Sequence, residues 1–358
     1  MWHLRSMRAV MRCALGIAIG VLGSAALAQD LEPTCIESPD TEKVRWTRGP
    51  EADRAHLDLW CAAVGPPLAR RAERETLFPG TADLVVATWN VQVGAGAVVT
   101  LVDDLRAGRL TGGEPVRHFA LLLQEVHRHL DGALASPPQG ARTARRITPK
   151  RQGSDVLSVA RDLGLHLLYV PSMRNGGEDQ PAEDRGNAIL STLPLRDPWA
   201  LELPLERERR VAVAARVDLG GGDDGLLLVS AHLDNRSSWQ DALRSLGRGR
   251  TGQARWLARA FHGEPAVVLG GDLNTWLRGN DARALGLLRE SFPWPEAPSR
   301  QPTLIIRFFP DRKVDHLLFR LPAGWTAGYQ VAEADYGSDH RPLLGALVEQ
   351  QPSPYHPK

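Results

Sequence analysis

Eight polar residues of this 358-residue chain have the side chains that phosphate-ester hydrolysis needs. They are four carboxylates, two imidazoles and two amides: Glu125, Asp272, Asp315, Asp339, His232, His340, Asn90 and Asn274. Carboxylate and amide oxygens bind hard divalent cations, and histidine donates protons or hydrogen bonds near neutral pH. Hydrolysis of a phosphate ester builds negative charge on oxygen atoms, and a cation with well-placed donors stabilises that charge.

Each of these residues also has an ordinary structural explanation when it is considered alone. An asparagine after a strand often forms a turn, and a glutamate at a strand end is usually solvated. The histidines could be satisfied by structural hydrogen bonds, and Asp315 could cap the start of an element. The functional interpretation therefore depends on all eight residues occurring together.

Short runs rich in valine, leucine and isoleucine recur along the chain and predict β-strands. The predicted strands are Leu84–Val91, Phe119–Val126, Leu165–Pro171, Ala188–Leu193, Arg210–Leu219, Leu226–Leu233, Ala266–Gly270, Val314–Leu321 and His340–Val348. Helical patterns are found at Val98–Arg109, Asp155–Leu163, Thr251–His262 and Asp281–Ser291, with Asp155 as an N-cap and Gly164 as a C-cap. Many strands with few helices indicate a layered α/β fold with a mixed, largely antiparallel sheet.

The polar residues fall at the ends of these predicted strands. Four of them come at or just after carboxyl ends: Asn90, Glu125, His232 and Asp272. Asn274 follows Asp272 by two residues, and the remaining three lie at the starts of the last two strands: Asp315, and the pair Asp339 and His340. If the last two strands run antiparallel to their neighbours, all these positions meet at one edge of the sheet and form a single cleft.

Seven short motifs occur in a fixed order, and six of them contain these residues. They are Thr88-Trp89-Asn90, Leu123-Gln124-Glu125-Val126, Gly186-Asn187-Ala188-Ile189-Leu190-Ser191, Ser230-Ala231-His232-Leu233, Gly271-Asp272-Leu273-Asn274, Val314-Asp315-His316 and Ser338-Asp339-His340-Arg341-Pro342. The set resembles the endonuclease/exonuclease/phosphatase superfamily, which includes deoxyribonucleases, abasic-site endonucleases, bacterial sphingomyelinases and inositol-polyphosphate phosphatases. The resemblance covers about Leu84 to Glu349. It implies a four-layer α/β/β/α sandwich of two mixed, largely antiparallel sheets, with the site at their mouth.

The resemblance implies a metal site and suggests its ligands. Glu125 would be the chief ligand, with Asn90 and Asp339 beside it. Oxygen ligands without cysteine favour Mg²⁺ or Mn²⁺ over Zn²⁺. The expected cofactor is therefore Mg²⁺ or Mn²⁺.

The resemblance also implies roles in the reaction. Asp272 would orient or deprotonate the attacking water, and Asn274 would hold a phosphate oxygen. His340 would contact the phosphate, with its tautomer and charge set by Asp315. His232 would donate to a phosphate or leaving-group oxygen. The sequence leaves open which group is the general base.

Three further residues are candidates for outer parts of this site. Asp184 occupies a position where a subset of relatives carry an acidic partner for the leaving-group histidine, so it is a candidate partner of His232. Arg185 or Arg210 could reach a substrate phosphate, although a solvated position at the surface is the more ordinary expectation for each.

The first 28 residues have the pattern of a secretory signal peptide. Three arginines precede an apolar run, 14–28, that ends in Ala-Leu-Ala, and this pattern predicts cleavage after Ala28. The run is shorter than the about 20 residues that span a bilayer, and no later run is long enough. We therefore expect a periplasmic or secreted protein without a transmembrane segment.

Two cysteines, Cys35 and Cys61, would remain after cleavage. An even number in an exported chain favours a disulfide, which would close a loop of about 25 residues and contribute roughly 3 kcal/mol. Metal ligation is the weaker alternative, because neither cysteine has a C-x-x-C partner. We expect residues 29–80 to form an N-terminal extension around this bridge, residues 81–350 to form the domain of the resemblance, and the proline-containing residues 351–358 to be disordered.

Charge bears on the substrate. The chain has 43 basic and 42 acidic residues, and loss of the three arginines of the signal would leave 40 against 42. Such a nearly neutral chain is not a general nucleic-acid binder, so any basic footprint must be local. Two local runs are present: Arg142, Arg145, Arg146, Lys150 and Arg151 in one, and Arg244, Arg248, Arg250 and Arg255 in the other.

Loops of this charge suit a nucleic-acid backbone, but they also suit an anionic membrane surface, inositol phosphates, or plain solvation. No aromatic hairpin of the kind that bacterial sphingomyelinases use is evident, so an endonuclease-like nuclease ranks first. A sphingomyelinase, phospholipase C-like or phosphoinositide phosphatase activity ranks second. A catalytically silent binding protein on the same fold is a further alternative, against which the full set of carboxylates and histidines argues. We expect a monomer.

Overall fold

The computed structural model describes Cys35 and residues 43–73, 84–149, 151–219, 225–235, 248–275, 280–293, 301–306 and 311–349. The predicted signal peptide and the predicted disordered tail lie outside the described residues. No helix in the described part of the chain is long and apolar enough to cross a membrane.

The described residues contain thirteen strands in two mixed sheets. The strands are β1 Arg45–Thr47, β2 Leu68–Arg70, β3 Leu84–Asn90, β4 His118–His129, β5 His166–Arg174, β6 Glu183–Ser191, β7 Arg196–Glu202, β8 Val211–Val217, β9 Leu226–His232, β10 Val267–Asp272, β11 Asp315–Arg320, β12 Trp325–Val331 and β13 Leu343–Glu349. One sheet has the order β1-β7-β8-β9-β10-β11, and the other has the order β12-β13-β3-β4-β6-β5-β2.

Five α-helices are described: α1 Arg54–Cys61, α2 Val98–Arg106, α3 Val156–Leu163, α4 Arg248–Ala260 and α5 Asn280–Ser291. The predicted caps of α3 are confirmed. The Asp155 carboxylate accepts hydrogen bonds from the backbone N–H groups of Leu157 and Ser158 at 2.9 and 3.1 Å. Gly164 ends the helix in the left-handed conformation, at φ 66°, which glycine adopts without steric cost.

Alternating side chains divide the apolar residues of the strands among three cores. On β3, Leu84 and Val86 pack in a core shared by both sheets, whereas Val85 and Trp89 pack against α2 and α3. A third core lies between the six-stranded sheet and the helices α4 and α5. The layers are therefore helices, sheet, sheet and helices, and the predicted α/β/β/α fold is confirmed.

The pairing of the central strands brings the expected residues together. Strands β3 and β4 are parallel, as are β9 and β10. Strand β13 runs antiparallel to β3, and β11 runs antiparallel to β10, which meets the condition for the polar positions to converge. The prediction that the polar positions meet at one edge of one sheet is corrected, because they lie at the matching ends of strands in two sheets. The predicted start of the last strand at His340 is also wrong, because β13 begins at Leu343.

The two strands at the start of the described chain are added to the edges of the sheets. Strand β1 pairs in parallel with β7, and β2 pairs antiparallel with β5. A disulfide joins Cys35 to Cys61 at the end of α1, with Cα atoms 5.3 Å apart, so this prediction is confirmed. The sequence analysis predicted none of the elements β1, β2, β7, β12 and α1.

Candidate functional site

Asp272 lies at the centre of the candidate site. As the last residue of β10, it pairs across the ladder with His232 on one side and with Asp315 on the other. Its carboxylate accepts hydrogen bonds from Asn90 Nδ2 at 3.1 Å and from the Asn274 backbone N–H at 2.9 Å. The first of these bonds joins the two sheets, because Asn90 ends β3.

Burial disfavours the charge on Asp272. Together with the nearby charge of Asp315, burial raises the pKa of Asp272 to about 7, although His340 and the hydrogen-bond donors oppose the rise. Both histidines of the site are close to this carboxylate. The distances from Asp272 Oδ2 to His232 Nε2 and His340 Nε2 are 3.5 and 3.8 Å. The group can therefore accept a proton from, or orient, a molecule bound between them.

Asp315 fixes the ring of His340. The distance from Asp315 Oδ2 to His340 Nδ1 is 2.7 Å, and both side chains are buried. Thr303 Oγ1 accepts the backbone N–H of Asp315 at 3.1 Å and so helps to hold the start of β11. Burial alone would lower the pKa of His340, but Asp315 and two further carboxylates outweigh it and raise the pKa to about 10. His340 is thus a cation at neutral pH, with Nε2 facing Asp272.

His232 has a different environment. Arg210 Nη1 lies 3.2 Å from His232 Nδ1, and because arginine can only donate, Nδ1 must accept. The proton of the neutral ring is then on Nε2, which faces Asp272. Burial lowers the pKa of His232 well below its usual value, and the Arg210 charge lowers it further. Asn274 Nδ2 donates to the Leu233 carbonyl at 3.0 Å. It lies 3.1 Å from Nε2 but makes no hydrogen bond to that atom in this tautomer, because both nitrogens are donors.

Glu125 lies in an irregular part of β4. The pairing of β4 with β6 shifts between Leu123 and Val126, which marks a β-bulge, and Glu125 has φ 52°. A positive φ is costly for a residue with a Cβ atom, and such conformations are common at functional sites. The Glu125 side chain is half-buried at the end of the sheet, in a pocket that His232 also lines.

The expected pairing of Asp184 with His232 is corrected by the structure. Asp184 is fully buried and accepts hydrogen bonds from Arg128 Nε at 3.1 Å, from the Tyr169 hydroxyl at 2.7 Å and from the Gly65 N–H at 3.0 Å. A second nitrogen of Arg128 completes the ion pair. With these partners the carboxylate is occupied, and Arg210 takes the position beside His232.

The expected solvated position of Arg185 and Arg210 is also wrong. Both residues are buried, at 5% and 6% exposure. They line the same pocket as Glu125 and His232. The sequence missed this burial because both residues adjoin charged segments that suggest a surface.

The acidic residues fit a divalent cation on two observations. Burial raises the pKa of Asp339, and the nearby charge of Glu125 raises it as well, so the two carboxylates repel each other. A cation between them would relieve this repulsion, and Asp339 remains 39% exposed at its side chain. Asn90 Oδ1 accepts the Gln92 N–H at 3.0 Å and retains a second lone pair.

Two other groups of side chains are close enough to share an ion. Asp272, Asp315 and His340 form one group, but its Asp315–His340 pair is already satisfied. His127, His129 and Glu183 form the other group. Glu183 is paired there with Arg146 at 3.2 Å, which makes that group a poorer site for a cation.

The two basic runs differ in where the structure places them. Arg142, Arg145 and Arg151 of the first run are exposed. A Cβ atom on Gly337 would lie 3.1 Å from Arg151 Nη1, so Arg151 lies against the loop that carries Asp339. In the second run, Arg250 is buried and Arg255 is exposed. Lys150 and Arg244 lie outside the described residues.

Two supporting residues were not foreseen. Thr303 accepts the N–H of Asp315, and no signal in the sequence indicated it. Ser338 was quoted within a motif, and its hydroxyl donates to the Asn90 carbonyl at 2.7 Å and accepts the His340 N–H at 3.1 Å. Ser338 thereby ties the last motif to the end of β3.

Comparison with known proteins agrees with this arrangement. The sequence model of the Endonuclease/Exonuclease/phosphatase family matches residues 87–340. A solved endonuclease/exonuclease/phosphatase from Beutenbergia cavernae is similar, with 21% identity, a TM-score of 0.53, and coverage of 75% of this chain and 72% of that chain. None of the curated protein sequences matches the chain.

Two further solved structures are similar to the chain at lower TM-scores. The human nocturnin catalytic domain has 16% identity and a TM-score of 0.47, with 76% of this chain and 96% of that chain covered. Sphingomyelinase C from Streptomyces griseocarneus has 16% identity and a TM-score of 0.41, with 74% and 99% covered.

Proposed function

Because the chain belongs to the endonuclease/exonuclease/phosphatase family, whose members are metal-dependent hydrolases of phosphodiesters and other phosphoric esters, we propose that it hydrolyses phosphodiesters at the site around Asp272. The observation that carries the proposal is the convergence on one carboxylate. The Asp272 carboxylate accepts a hydrogen bond from Asn90 of the other sheet, and its Oδ2 lies within 3.8 Å of the Nε2 atoms of both histidines. A silent binding protein would have no need for a buried carboxylate between two imidazoles.

We assign the residues as follows. Glu125, Asn90 and Asp339 hold the cation, which we propose to be Mg²⁺ or Mn²⁺ because the donors are oxygen atoms. When bound, such a cation neutralises charge on the phosphate oxygens. Asp272 orients the attacking water and accepts its proton, for which a pKa of about 7 is suitable.

The two histidines hold the phosphate from two sides. His340, kept protonated by Asp315, contributes a positive charge and an N–H donor at Nε2. His232 contributes a neutral N–H donor at Nε2, because Arg210 occupies its Nδ1. Asn274 and Arg185 contact the substrate as well. Donors that are fixed before the reaction stabilise developing charge without reorganisation.

We propose a nucleic acid as the substrate, cleaved by endonuclease-like action. Support comes from the exposed Arg145 and Arg151, since Arg151 lies against the loop that carries Asp339. Exposed arginines beside a phosphodiesterase site suit a polyanionic backbone.

Plasmid nicking tests this proposal. We expect nicking with Mg²⁺ or Mn²⁺ and none with EDTA. Added salt should slow the reaction steeply, because each neutralised phosphate contributes nearly one unit of slope in log affinity against log salt. The double variant Arg145→Ala, Arg151→Ala should raise KM for DNA and flatten the slope. Arg196→Ala is the control, because its side chain is 45% exposed and β7 begins at the opposite end of the sheet from His232.

Two outcomes would overturn the choice of substrate. One is DNA and RNA that stay intact with a preparation that cleaves bis-p-nitrophenyl phosphate. The other is cleavage of sphingomyelin or phosphoinositide vesicles under conditions that spare DNA. Either result would favour a lipid or inositol-phosphate enzyme. Failure to hydrolyse any of these esters would favour a silent scaffold.

We further propose that the protein is exported as a monomer. The Cys35–Cys61 bridge supports an oxidising compartment. Intact mass spectrometry of periplasmic or secreted material should give a chain that begins at Gln29, and a chain that still begins at Met1 would contradict cleavage after Ala28. The division of the remaining chain at residues 80 and 350 stays a prediction.

A further inference from the structure

Arg185 is a buried cation whose hydrogen-bonding capacity is unused. The residue is 5% exposed, and its guanidinium donates no hydrogen bond to any residue in the described part of the chain. Its one ion pair there is with Glu208 Oε1, at the long distance of 4.0 Å. Its Nε is buried without a hydrogen-bond partner, and burying an unpaired donor of a charged group is costly. Folding alone therefore gives no reason for this placement.

Arg210 stands beside Arg185 and is only partly satisfied. One terminal nitrogen lies 3.2 Å from His232 Nδ1, and the other lies 3.2 Å from Glu208 Oε2 and 3.8 Å from Asp234 Oδ1. Its Nε is buried without a hydrogen-bond partner, as is the Nε of Arg185. The charge of Arg210 lowers the pKa of Arg185, which burial already lowers. Two like charges in one buried pocket repel each other unless an anion lies between them.

Asp234 pairs with Arg210 alone, and Glu208 supplies the anion that the two arginines share. Its carboxylate bridges the two arginines, at 4.0 Å from Arg185 and 3.2 Å from Arg210. The Glu208 side chain is 29% exposed, and the residue lies in the connection between β7 and β8. A carboxylate in this setting can move into solvent at little cost, in contrast to the buried guanidinium groups.

The position of the two arginines in the candidate site indicates their function. Glu125 and His232 line the same pocket, so the arginines adjoin the proposed cation and the proposed phosphate donor. The negative charge of Glu125 favours the protonated form of Arg185. A cation bound at Glu125 would neutralise the negative charge of Glu125. An anion that takes the place of the Glu208 carboxylate would then balance the charges of the two arginines.

We infer that Arg185 and Arg210 form a subsite for a second phosphate of the substrate, next to the phosphate that is hydrolysed, and that Glu208 occupies this subsite until substrate displaces it. The inference rests on the proposed phosphodiesterase function. It narrows the substrate to molecules that carry two neighbouring phosphates, such as a polynucleotide. A choline phosphodiester places a quaternary ammonium near the scissile phosphate, and the arginines would repel it.

Three thymidine dinucleotides test the subsite with the Mg²⁺-loaded full-length protein: d(TpT), d(pTpT) and d(TpTp). Each has one scissile phosphodiester, and the last two add a terminal phosphate on either side. We expect at least one of the phosphorylated forms to have a kcat/KM about tenfold or more above that of d(TpT), since a charge-assisted pair is worth about 1.5–3 kcal/mol. Arg185→Gln should bring this ratio towards one, and Arg196→Gln should leave it unchanged.

Glu208→Gln provides a second, milder test. Removing the internal anion should lower KM for the phosphorylated dinucleotide and tighten inhibition by inorganic phosphate. This variant still tests the subsite if Arg185→Gln does not fold, because Glu208 is partly exposed and its replacement should not disturb the fold.

Equal kcat/KM values for the three dinucleotides would overturn the subsite, as would a preference that Arg185→Gln leaves in place. An unchanged or higher KM in Glu208→Gln would contradict the role of Glu208. Faster cleavage of p-nitrophenyl phosphorylcholine than of bis-p-nitrophenyl phosphate would also oppose the inference. Hydrolysis of bis-p-nitrophenyl phosphate distinguishes these results from failure of the proposed function, in which no ester is cleaved.

Discussion

Replacement of Asp184 by alanine should destabilise the fold without a specific effect on His232. Asp184 is fully buried on β6, and its carboxylate accepts hydrogen bonds from Arg128, Tyr169 and the Gly65 N–H. Arg128 is itself 7% exposed and Tyr169 is fully buried. Alanine would leave a buried cation and two buried donors without this acceptor.

The size of the effect follows from these contacts. Breaking a buried ion pair by removing one partner costs about 3–5 kcal/mol, most of it from the charge left unpaired. With an unfolding entropy of about 2.1 cal/mol/K per residue, a chain of this length has about 0.75 kcal/mol/K. A loss of about 4 kcal/mol therefore lowers Tm by about 5 °C. Thermal unfolding followed by circular dichroism measures the shift, and the pH profile of kcat is recorded on the same protein.

Two variants serve as controls. Asp162→Ala removes a carboxylate whose ion pair with Arg161 is exposed, at 67% and 69%, so Tm should stay within about 1 °C. Asp184→Asn keeps the shape and removes the charge, which separates the ion pair from packing. If Asp184→Ala left Tm unchanged and altered the pH profile of kcat, Asp184 would act on His232 and the assignment to Arg128 would be refuted.

Further predictions concern the site and the disulfide. Glu125→Gln and Asp272→Asn should each reduce kcat by about 100-fold or more while Tm stays near the wild-type value, and losses of only two- to threefold, below about 1 kcal/mol, would show that they are not catalytic. Because Asp315 raises the pKa of His340, the protonated form persists to about pH 10. Asp315→Asn should therefore move the alkaline limb of the kcat profile to lower pH, with an intermediate loss of rate. An unmoved limb would show that it does not report the titration of His340. Reduction of the Cys35–Cys61 bridge should lower Tm by about 4 °C, from about 3 kcal/mol of chain entropy, and an unchanged Tm would oppose a stabilising role.

The features that the sequence predicted well depend on local patterns. The apolar runs of β3, β9 and β10 give buried strands, and the polar residue at the end of each run lies at the end of its sheet. Caps are also local, so Asp155 and Gly164 were identified from their own positions. Strands β1 and β2 have only three residues each, too few to show a period, and they were missed.

The features that the sequence missed depend on register. The pairing of β4 with β6 shifts by one residue at the bulge, which places Arg128 opposite Asp184. An unbroken ladder would instead place Arg128 opposite Glu183. The bulge depends on a positive φ at Glu125, which is rare for a glutamate, and no pattern of residue types announces it.

The two histidines differ in their neighbours. Burial lowers the pKa of His232, and the charge of Arg210, which lies 3.2 Å from its Nδ1, lowers it further. His340 has a carboxylate at the same ring atom, and its pKa rises to about 10. These contacts leave a neutral donor on one side of Asp272 and a cationic donor on the other. A phosphate between them would meet two N–H groups but only one imidazolium charge, and the missing positive charge on the His232 side is supplied by the arginine behind the ring.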